Sequence, residues 1–409
     1  MIPLGDAQAR VLEACRVLPA RGVPLADALG RVLAEAVVSG VDVPPFANTA
    51  MDGFAVRAAD TAGAPVRLDV VGTLAAGADP SALVVGPGQA VRIMTGAPMP
   101  AGADAVVMVE RTAAAADGDG VVVEVAATPG DHIRSAGDDI RVGQAVFEAG
   151  DVLTPGHLGV LASLGLSEVT VYPAATVGVL STGDELVGAG VALRPGQIRD
   201  SNRPTLLALV AEAGCVAIDL GTAADDEDVI RSKLEDGLAT CDAIVTSGGV
   251  SVGDFDYVKV VLDKIGRMDW WQVAIRPAKP FAFGVAGPAA TPIFGLPGNP
   301  VSSMVSFELF VRPGVRRMMG HPDDRLSRPT VEAIADEALP RRPDGKLHLD
   351  RVVAVPGPDG RYHVRRSGGQ ASHLLRAMAL ANALALVPDG DGVAAGGTVT
   401  TMLLGTVGR

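Results

Sequence analysis

Residues 241–257, CDAIVTSGGVSVGDFDY, decide the fold of this chain. Residues 242–246 form a short apolar run rich in β-branched side chains, which is typical of a buried strand in a parallel sheet. A glycine-bearing turn follows, and VKVVLDKIG after it has helical spacing. Because such a turn points backbone N–H groups toward a helix N-terminus, the stretch predicts a cradle for a phosphate or a pterin phosphate. An ordinary tight turn closed by an N-capping aspartate is the alternative.

Strand and helix patterns alternate on both sides of this stretch. TVGVLSTGDEL, VAIDLGTAA and TPIFGLPG have the character of strands, whereas NRPTLLALVAEAG, DEDVIRSKLEDGL and NPVSSMVSFELFVRPGVRRMM have helical spacing. This alternation predicts a doubly wound parallel sheet over residues 173–320. Polar, glycine-bearing loops follow three of the strands, at 181–185, 247–256 and 295–300. We expect them to meet in one crevice at the carboxyl ends of the strands.

The rest of the chain predicts three further parts. Helical periodicity is present in two N-terminal segments, DAQARVLEACRVL and LADALGRVLAEAVVS. A strand pattern and a helix pattern follow residue 143. Together these segments predict a helical linking domain made of residues 1–42 and 143–172. Short β segments (FAVRAAD, VRLDVVGTL, QAVRIMTG, ADAVVMVE and GVVVEVA) predict an inserted β domain over 43–142. Similar segments predict a C-terminal β domain over 321–409. The predicted fold class is therefore α/β plus β.

Composition excludes several classes of function. A net charge of −13 over 409 residues argues against nucleic acid or an anionic membrane as the partner, because phosphates select basic surfaces. No apolar run is long enough to span a bilayer, and the N-terminus has no signal pattern. Three scattered cysteines show no metal spacing, as expected in a reducing compartment. We expect a cytoplasmic protein.

Carboxylates in the α/β part suggest a cation site. Asp184 and Glu185 follow a predicted buried strand, where two unpaired carboxylates would be unfavourable. A cation shared with Asp256 would resolve this, and an all-oxygen ligand set suits Mg²⁺. Caps of the following loop are the alternative. Asp225 and Asp226, taken alone, are typical helix N-caps.

A second candidate site is the segment from Arg276 to Pro280, RPAKP. Arg276 and Lys279 are separated by proline, cannot be helical and are held rigidly, so they predict a clamp for an oxyanion. A solvated loop is the alternative.

Three polar segments of the β domain have ambiguous roles. Asp52 precedes a glycine, a pair that is typical of turns, and Thr95 either closes a turn or presents its hydroxyl. Arg134, with Asp138 and Asp139, would form a surface ion-pair cluster in the simplest interpretation.

Eight segments, read in order, carry a family resemblance: PPFANTAMDGFAV, RIMTGAPMPAGADAVVMVE, GDDI, VLSTGDEL, GQIRDSN, TSGGVSVGDFDYV, RPAKPFAFG and FGLPGNPVSS. Together they resemble the molybdopterin molybdenumtransferase family, of the MoeA and gephyrin E-domain type, and the resemblance spans the whole chain. It implies a four-part subunit in a homodimer with its active site in a cleft. It also implies a reaction in which adenylylated molybdopterin is hydrolysed, molybdate is inserted into the dithiolene and AMP is released with Mg²⁺. The implied partners are molybdopterin adenylyltransferase and molybdoenzyme maturation proteins.

The resemblance also implies roles for individual residues. The catalytic group is Asp52, Thr95, Arg134, Asp139, Glu185, Asp225 and Asp256. Three of these, namely Glu185, Asp225 and Asp256, would handle the metal. The molybdate would be held by Ser251, Arg276, Lys279, Pro280, Arg351 and Ser372. Apart from the resemblance, the polar loops at the strand ends predict that Ser247, Gly248, Gly249, Pro297 and Asn299 bind substrate.

The chain departs from the family at two places. Gln272 stands where many members have lysine, and the family's KPGKP reads Arg276-Pro-Ala278-Lys279-Pro. Arginine keeps the charge, and Ala278 is expected to replace glycine only if its φ is negative. Two other functions remain as alternatives, namely a nucleotide-phosphate hydrolase of the same α/β fold and a non-catalytic pterin-binding scaffold.

Overall fold

The computed structural model describes residues 1–116, 118–249 and 257–405. Its contacts divide the chain into two compact units: residues 1–22, 30–34 and 170–409 form the larger unit, and residues 23–29 and 35–169 form the smaller. The four domain boundaries proposed from the sequence stay a prediction. None of the helices in the described ranges has the length and apolar character needed to cross a bilayer.

The N-terminal stretch contains one helix where the sequence predicts two. Its elements are α1 (Leu4–Ala14), β1 (Arg21–Pro24), β2 (Val32–Leu33) and β3 (Val37–Val38). The first predicted helix is confirmed, with Val11 buried, but it ends at Ala14, before the CRVL end of the predicted pattern. The second is wrong, because only residues 25–27 form a short 3₁₀ turn. Gly30, at φ +74°, interrupts the helical pattern, and the apolar pair Val32–Leu33 is a strand that pairs with residues 171–172.

The smaller unit is a β structure, as the sequence predicts. Each predicted β segment contains a strand, and the elements are β4 (Asn48–Thr49), β5 (Gly53–Val56), β6 (Val66–Leu74), β7 (Gln89–Ile93), β8 (Ala105–Met108), β9 (Thr112–Ala114), β10 (Gly120–Val123) and β11 (Ile133–Arg134). Six of them form one sheet in the order β8-β5-β7-β6-β10-β9. Both faces of this sheet are covered, because Phe54 and Val56 enter one apolar cluster while Ala55 enters another.

Three elements follow the β sheet and return to the start of the chain: β12 (Ala145–Phe147), α2 (Pro155–Ser163) and β13 (Glu168–Tyr172). The strand and helix predicted after residue 143 are therefore present. Strand β12 pairs antiparallel with β3, and β13 pairs antiparallel with β2. These two pairings explain why residues 32–38 adopt extended rather than helical structure.

The predicted parallel sheet is the centre of the larger unit. Its elements are β14 (Thr176–Thr182), β15 (Leu186–Val187), β16 (Ile198–Arg199), α3 (Asn202–Glu212), β17 (Val216–Ala223), α4 (Glu227–Thr240), β18 (Ala243–Ser247), α5 (Tyr257–Ile265), β19 (Gly266–Gln272), β20 (Ile275–Arg276), β21 (Pro280–Ala286), β22 (Thr291–Leu296), α6 (Pro300–Ser306) and α7 (Arg312–Met318). The strand order is β17-β14-β18-β22-β21-β19. The first four strands are parallel, and the sheet continues through β21 and β19, which are antiparallel.

Helices cover both faces of this sheet, which makes it doubly wound. One apolar cluster joins the sheet to α1, α3, α6 and α7, and a second joins it to α4 and α5. The few aromatic side chains are concentrated in the first cluster, where Phe281 stacks on Phe310 with ring centroids 4.2 Å apart. Aromatic pairs of this kind contribute about 1 kcal/mol beyond the area they bury.

The C-terminal part closes into a small barrel. Its elements are β23 (Thr330–Ala335), β24 (Leu339–Pro340), β25 (Leu347–Pro356), β26 (Tyr362–Arg366), α8 (Leu375–Ala379), β27 (Ala383–Val387), β28 (Gly392–Val393) and β29 (Thr398–Leu403). The order β25-β26-β23-β29-β27 is closed by pairing of β27 with β25. Strand β20, from the preceding part of the chain, adds to β25 in parallel. This pairing joins the predicted clamp to the barrel.

Candidate oxyanion-binding site

The loop that carries Arg276 and Lys279 is fixed by backbone hydrogen bonds at both ends. Val273 N–H donates to Lys279 O at 2.8 Å, which closes the loop on itself. On the other side Leu347 N–H donates to Ala274 O at 2.9 Å, and Ile275 pairs with Leu347 in the barrel sheet. The backbone of the loop is therefore held between two sheets, whereas the side chains of Arg276 and Lys279 are exposed. The oxyanion clamp stays a prediction.

Ala278 adopts the backbone conformation that was expected to require glycine. Its φ is +73°, in the left-handed region, and its side chain is 2% exposed. The condition that alanine replaces glycine here only at a negative φ is therefore wrong. A left-handed conformation costs an alanine about 1–2 kcal/mol, so the fixed ends of the loop must impose it.

Five residues predicted to bind substrate line one cavity of about 430 Å³, which we call the clamp cavity. These are Arg276, Lys279, Pro280, Asn299 and Ser372. Asn299 precedes α6, and Ser372 is joined to the same helix because Val301 N–H donates to Ser372 O at 3.1 Å. Within the described ranges neither Arg276 nor Lys279 forms an ion pair. The clamp cavity therefore presents two uncompensated cations and a hydroxyl.

Arg351 lines an adjoining cavity of about 480 Å³, which shares Arg276, Pro277, Gln370 and Ala371 with the clamp cavity. Its side chain is fully buried, and its Nη2 donates to Gly369 O at 2.9 Å. Its Nε and Nη1 have no hydrogen-bond partner among the described residues. Burial lowers the pKa of Arg351 from its usual value, although arginine remains protonated in proteins. A buried guanidinium with two unused donors favours an oxyanion as its missing partner.

The carboxyl ends of the parallel strands meet close to Asn299. Ser247 is 2% exposed and ends β18, and its hydroxyl accepts a hydrogen bond from Asn202 Nδ2 at 2.7 Å. The same amide donates to Gly298 O at 2.7 Å, so Asn202 ties the loop after β18 to the loop after β22. Pro297, in that second loop, is buried. Ser251 and Asp256, which continue the glycine turn, lie outside the described residues.

Gly248 and Gly249 adopt the left-handed conformation that the predicted glycine turn requires, with φ +97° and +70°. Gly248 also lies against the end of β14, because an added Cβ would be 2.9 Å from Thr182 O. Its N–H donates to Leu296 O at 3.1 Å. These contacts bring the ends of β14, β18 and β22 together at one glycine.

Gly248→Ala is expected to lower the free energy of unfolding of the larger unit by about 2–3 kcal/mol, from backbone strain and the contact with Thr182 O. Gly287→Ala is the matched control. Gly287 has φ +69°, but its added Cβ would meet only the Leu238 side chain at 3.7 Å. Urea unfolding of both variants checks the prediction, and equal losses would show that the contact with Thr182 contributes nothing.

The acidic residues of the α/β part are more exposed than expected. Asp184 and Glu185 lie just beyond β14 and both are exposed, so the argument that they are buried without a partner is wrong. Asp184 Oδ1 accepts the backbone N–H of Asp225 at 3.0 Å, which places the 184–185 loop beside Asp225. The N-cap of α4 is Asp226, whose carboxylate accepts the N–H groups of residues 228 and 229. Among the residues that the structure describes, the Asp225 carboxylate has no hydrogen-bond or ion-pair partner.

No group of three acidic, histidine or cysteine side chains spaced to hold a metal occurs within 1–116, 118–249 and 257–405. The third member of the predicted metal set, Asp256, is not described. The metal set of Glu185, Asp225 and Asp256 therefore stays a prediction. Its all-oxygen chemistry and the exposure of the first two carboxylates fit a partly hydrated Mg²⁺.

In the smaller unit, Asp52 and Thr95 form one hydrogen-bonded pair. Asp52 Oδ1 accepts the backbone N–H of Thr95 at 2.6 Å and its hydroxyl at 2.7 Å. The backbone hydrogen bond, followed by the hydroxyl, lowers the pKa of Asp52 below its usual value. Asp52 therefore stays ionised at neutral pH. The sequence leaves two alternatives for Thr95, namely that it closes a turn or that it presents its hydroxyl. Thr95 does both here, because its backbone N–H and its hydroxyl donate to the same carboxylate oxygen.

Arg134 lies on a strand next to this pair, whereas Asp139 lies in a separate loop. Arg134 pairs with Asn48 across β11 and β4, four residues before Asp52. Asp139 N–H donates to Val43 O at 3.0 Å. Both side chains are exposed, and in the described part of the chain Arg134 forms no ion pair, which argues against the surface ion-pair cluster.

Thr95→Val is expected to raise the pKa of Asp52 while leaving it below the usual value of ~3.9, because the backbone hydrogen bond remains. A lowered pKa in the folded state stabilises the fold above the unfolded pKa, and this stabilisation disappears as the pH falls. The variant should therefore lose more stability at pH 7 than at pH 3. Carbon-13 NMR titration of Asp52 measures the shift. Thr112→Val is the control, since the Thr112 hydroxyl donates to Val109 O and to no carboxylate.

Sequence reasoning missed four residues of this site: Asn202, Ser302, Lys346 and Gln370. Asn202 lies in the quoted segment GQIRDSN, so its segment was recognised but not its role. The other three line the clamp cavity. Gln370 also brackets Arg351, because its side chain accepts from Arg351 N and donates to Arg351 O. Ser302 also lies in a quoted segment, FGLPGNPVSS, and on α6. No local pattern marks Lys346 and Gln370, since both gain their positions from the barrel.

Comparison with known proteins identifies the family. The description "MoeA N-terminal region (domain I and II)" matches residues 2–165, "Probable molybdopterin binding domain" matches 178–317, and "MoeA C-terminal region (domain IV)" matches 333–404. The chain is 40% identical over 405 residues to the molybdopterin molybdenumtransferase of Haemophilus influenzae, covering 98% of each. It is 43% identical over 406 residues to molybdopterin molybdenumtransferase 2 of Mycobacterium tuberculosis, covering 95% of each.

A solved structure shows the same fold over nearly the whole length. The molybdopterin biosynthesis MoeA protein of Pyrococcus horikoshii superposes with a TM-score of 0.80 at 28% identity, covering 98% of this chain and 100% of that one. Full-length similarity in both sequence and structure leads to one conclusion: this chain belongs to the molybdopterin molybdenumtransferase family.

Proposed function

We propose that this protein is a molybdopterin molybdenumtransferase, a transferase that acts in molybdenum cofactor biosynthesis. It takes adenylylated molybdopterin and molybdate as substrates, inserts the metal into the dithiolene and releases AMP. The observation that carries this proposal is the clamp cavity, where Arg276 and Lys279 lie beside Ser372 and form no ion pair with any described residue.

The clamp cavity is suited to a tetrahedral dianion. Two cations on a fixed backbone supply opposite charge, and the Ser372 hydroxyl supplies a further donor. Arg351 lines the adjoining cavity, which shares Arg276 and Pro277 with the clamp cavity. Because the backbone that carries the two cations is fixed before the anion arrives, only their side chains have to be ordered on binding.

The strand-end loops would bind the pterin substrate. A ligand can approach the backbone closely at Gly248 and Gly249, which have no side chain, and at the loop held by Asn202. The Ser247 hydroxyl is already oriented by its hydrogen bond from Asn202. Glu185, Asp225 and Asp256 would hold Mg²⁺, which when bound neutralises phosphate charge during cleavage of the phosphoanhydride. The lowered pKa of Asp52 supports its role as a carboxylate that stays charged in the cleft, and Thr95 orients it.

We also propose, from the family resemblance, that the protein works in the cytoplasm as a homodimer with its active site in a cleft between subunits, which Arg134 and Asp139 would line. Molybdopterin adenylyltransferase would supply the substrate, and molybdoenzyme maturation proteins would receive the product. No observation favours the hydrolase or the scaffold over this function.

The test is release of AMP from adenylylated molybdopterin in the presence of Mg²⁺, with molybdate or with sulfate as the matched oxyanion control. We expect AMP release that depends on molybdate. Equal release with sulfate and without any oxyanion would replace the proposal by a nucleotide-phosphate hydrolase. Pterin binding without any AMP release, by folded protein, would indicate the scaffold. Omission of Mg²⁺ tests the metal separately.

A further inference from the structure

Lys346 is a third cation of the clamp cavity, contributed by the barrel. It precedes β25 and lines the cavity with Arg276 and Lys279. Its position is fixed by the neighbouring residue, since Leu347 N–H donates to Ala274 O at 2.9 Å and Leu347 pairs with Ile275. The backbone of Lys346 is therefore attached to the same loop that carries the two predicted cations.

Unlike those two cations, Lys346 has a carboxylate partner. Its Nζ donates to Asp344 Oδ2 at 2.8 Å, and its side chain is 19% exposed. Because an ammonium group has three donors, this contact leaves others for a ligand. In the described part of the chain no second hydrogen bond of Lys346 Nζ is found.

Asp344 is itself held in place by several groups. Its Oδ1 accepts from Arg341 Nη2 at 2.8 Å and lies 3.2 Å from His348 Nε2. The backbone N–H groups of Asp344 and Gly345 donate to the Asp389 carboxylate at 3.0 and 3.1 Å. Asp344 is therefore held in place, and its hydrogen bond restricts the otherwise flexible side chain of Lys346. Its contacts with Lys346 and His348 lower the pKa of Asp344 to about 2, which keeps it charged.

We propose that Lys346 binds the oxyanion in the clamp cavity directly, and that Asp344 is a positioning residue that orders Lys346 toward it. The proposal rests on the function proposed above, in which this cavity receives molybdate. The ammonium keeps its hydrogen bond to Asp344 and donates a second one to an oxygen of the anion. Three cations from two parts of the chain then surround one dianion.

The test is calorimetric titration of molybdate into the full-length protein without pterin. Lys346→Met is expected to raise Kd about tenfold, since a hydrogen bond to a charged group is lost, and to reduce the salt dependence of Kd. Lys346→Arg should recover part of the affinity. Lys264→Met is the matched control, because Lys264 pairs with the Glu227 carboxylate and does not line this cavity. The Kd of Lys264→Met for molybdate should equal that of the wild type.

The outcomes separate this inference from the proposed function. If the wild type does not bind molybdate, the proposed function fails. If the wild type binds molybdate and Lys346→Met binds it equally, the function stands and the role of Lys346 is overturned. Thermal unfolding confirms that each variant is folded, and Lys346→Gln replaces Lys346→Met if the latter is not.

The role of Asp344 is tested in a double-mutant cycle. Asp344→Asn should raise Kd about threefold in the wild-type background and leave Kd unchanged in the Lys346→Met background, because it acts through Lys346. An equal effect in both backgrounds would show that Asp344 acts on the fold and not through Lys346.

Discussion

Lys279→Met is expected to reduce molybdate-dependent release of AMP by about 100-fold. This is the size of effect expected when one hydrogen bond between charged groups is lost from the site. Lys279 lines the clamp cavity without an ion pair among the described residues, so its charge is not compensated before the anion binds. The substitution removes this charge and leaves the backbone bond from Val273 N–H to Lys279 O in place. Loss of activity without loss of fold is therefore the expected result.

The measurement is the initial rate of AMP release at several molybdate concentrations. If Lys279 binds molybdate, most of the effect should appear in the molybdate concentration needed for half-maximal rate. Lys264→Met is again the control, because Lys264 forms an exposed ion pair with Glu227 on α4. A variant with wild-type rates at low molybdate would remove Lys279 from the proposed site.

Glu308→Ala is expected to destabilise the larger unit by about 3–5 kcal/mol, the usual effect of removing one partner from a buried ion pair. Glu308 is 2% exposed, in a π-helical stretch, Phe307–Val311, between α6 and α7. Both of its oxygens accept from Arg328 at 2.9 Å, and Arg312 lies 3.6 Å away. Without Glu308, Arg312 has no carboxylate partner in the described structure, and Arg328 keeps only Glu212.

Urea unfolding followed by tryptophan fluorescence measures this effect, since Trp270 and Trp271 lie in the same unit. Glu227→Ala is the matched control: it also removes a carboxylate from an ion pair, but Lys264 and Glu227 are exposed and such pairs contribute about 0–1 kcal/mol. If both variants shift the midpoint equally, the buried ion cluster is not important for stability. The consequence for function is indirect, because α6 begins beside Asn299 in the clamp cavity.

Local features of the fold could be predicted from the sequence because they depend on neighbouring residues. The strand at 243–247 follows from its β-branched run, and the turn after it needs glycines that adopt positive φ. The helix at residues 4–14 was predicted correctly from one apolar face. The second helix was wrong because residues 32–38 pair with strands more than 100 residues away, which periodicity does not report.

The site divides in the same way. The sequence by itself determined that the RPAKP segment is not helical, since proline restricts its backbone whatever surrounds it, and it determined the glycine turn at the end of β18. Only the tertiary structure decided that Asp184 and Glu185 are exposed, that Ala278 adopts a positive φ, and that Lys346 lies beside the clamp. The physical reason is that burial and the clustering of charges depend on which distant segments pack together. Here the pairing of β20 with β25 brings the barrel's cations to the clamp.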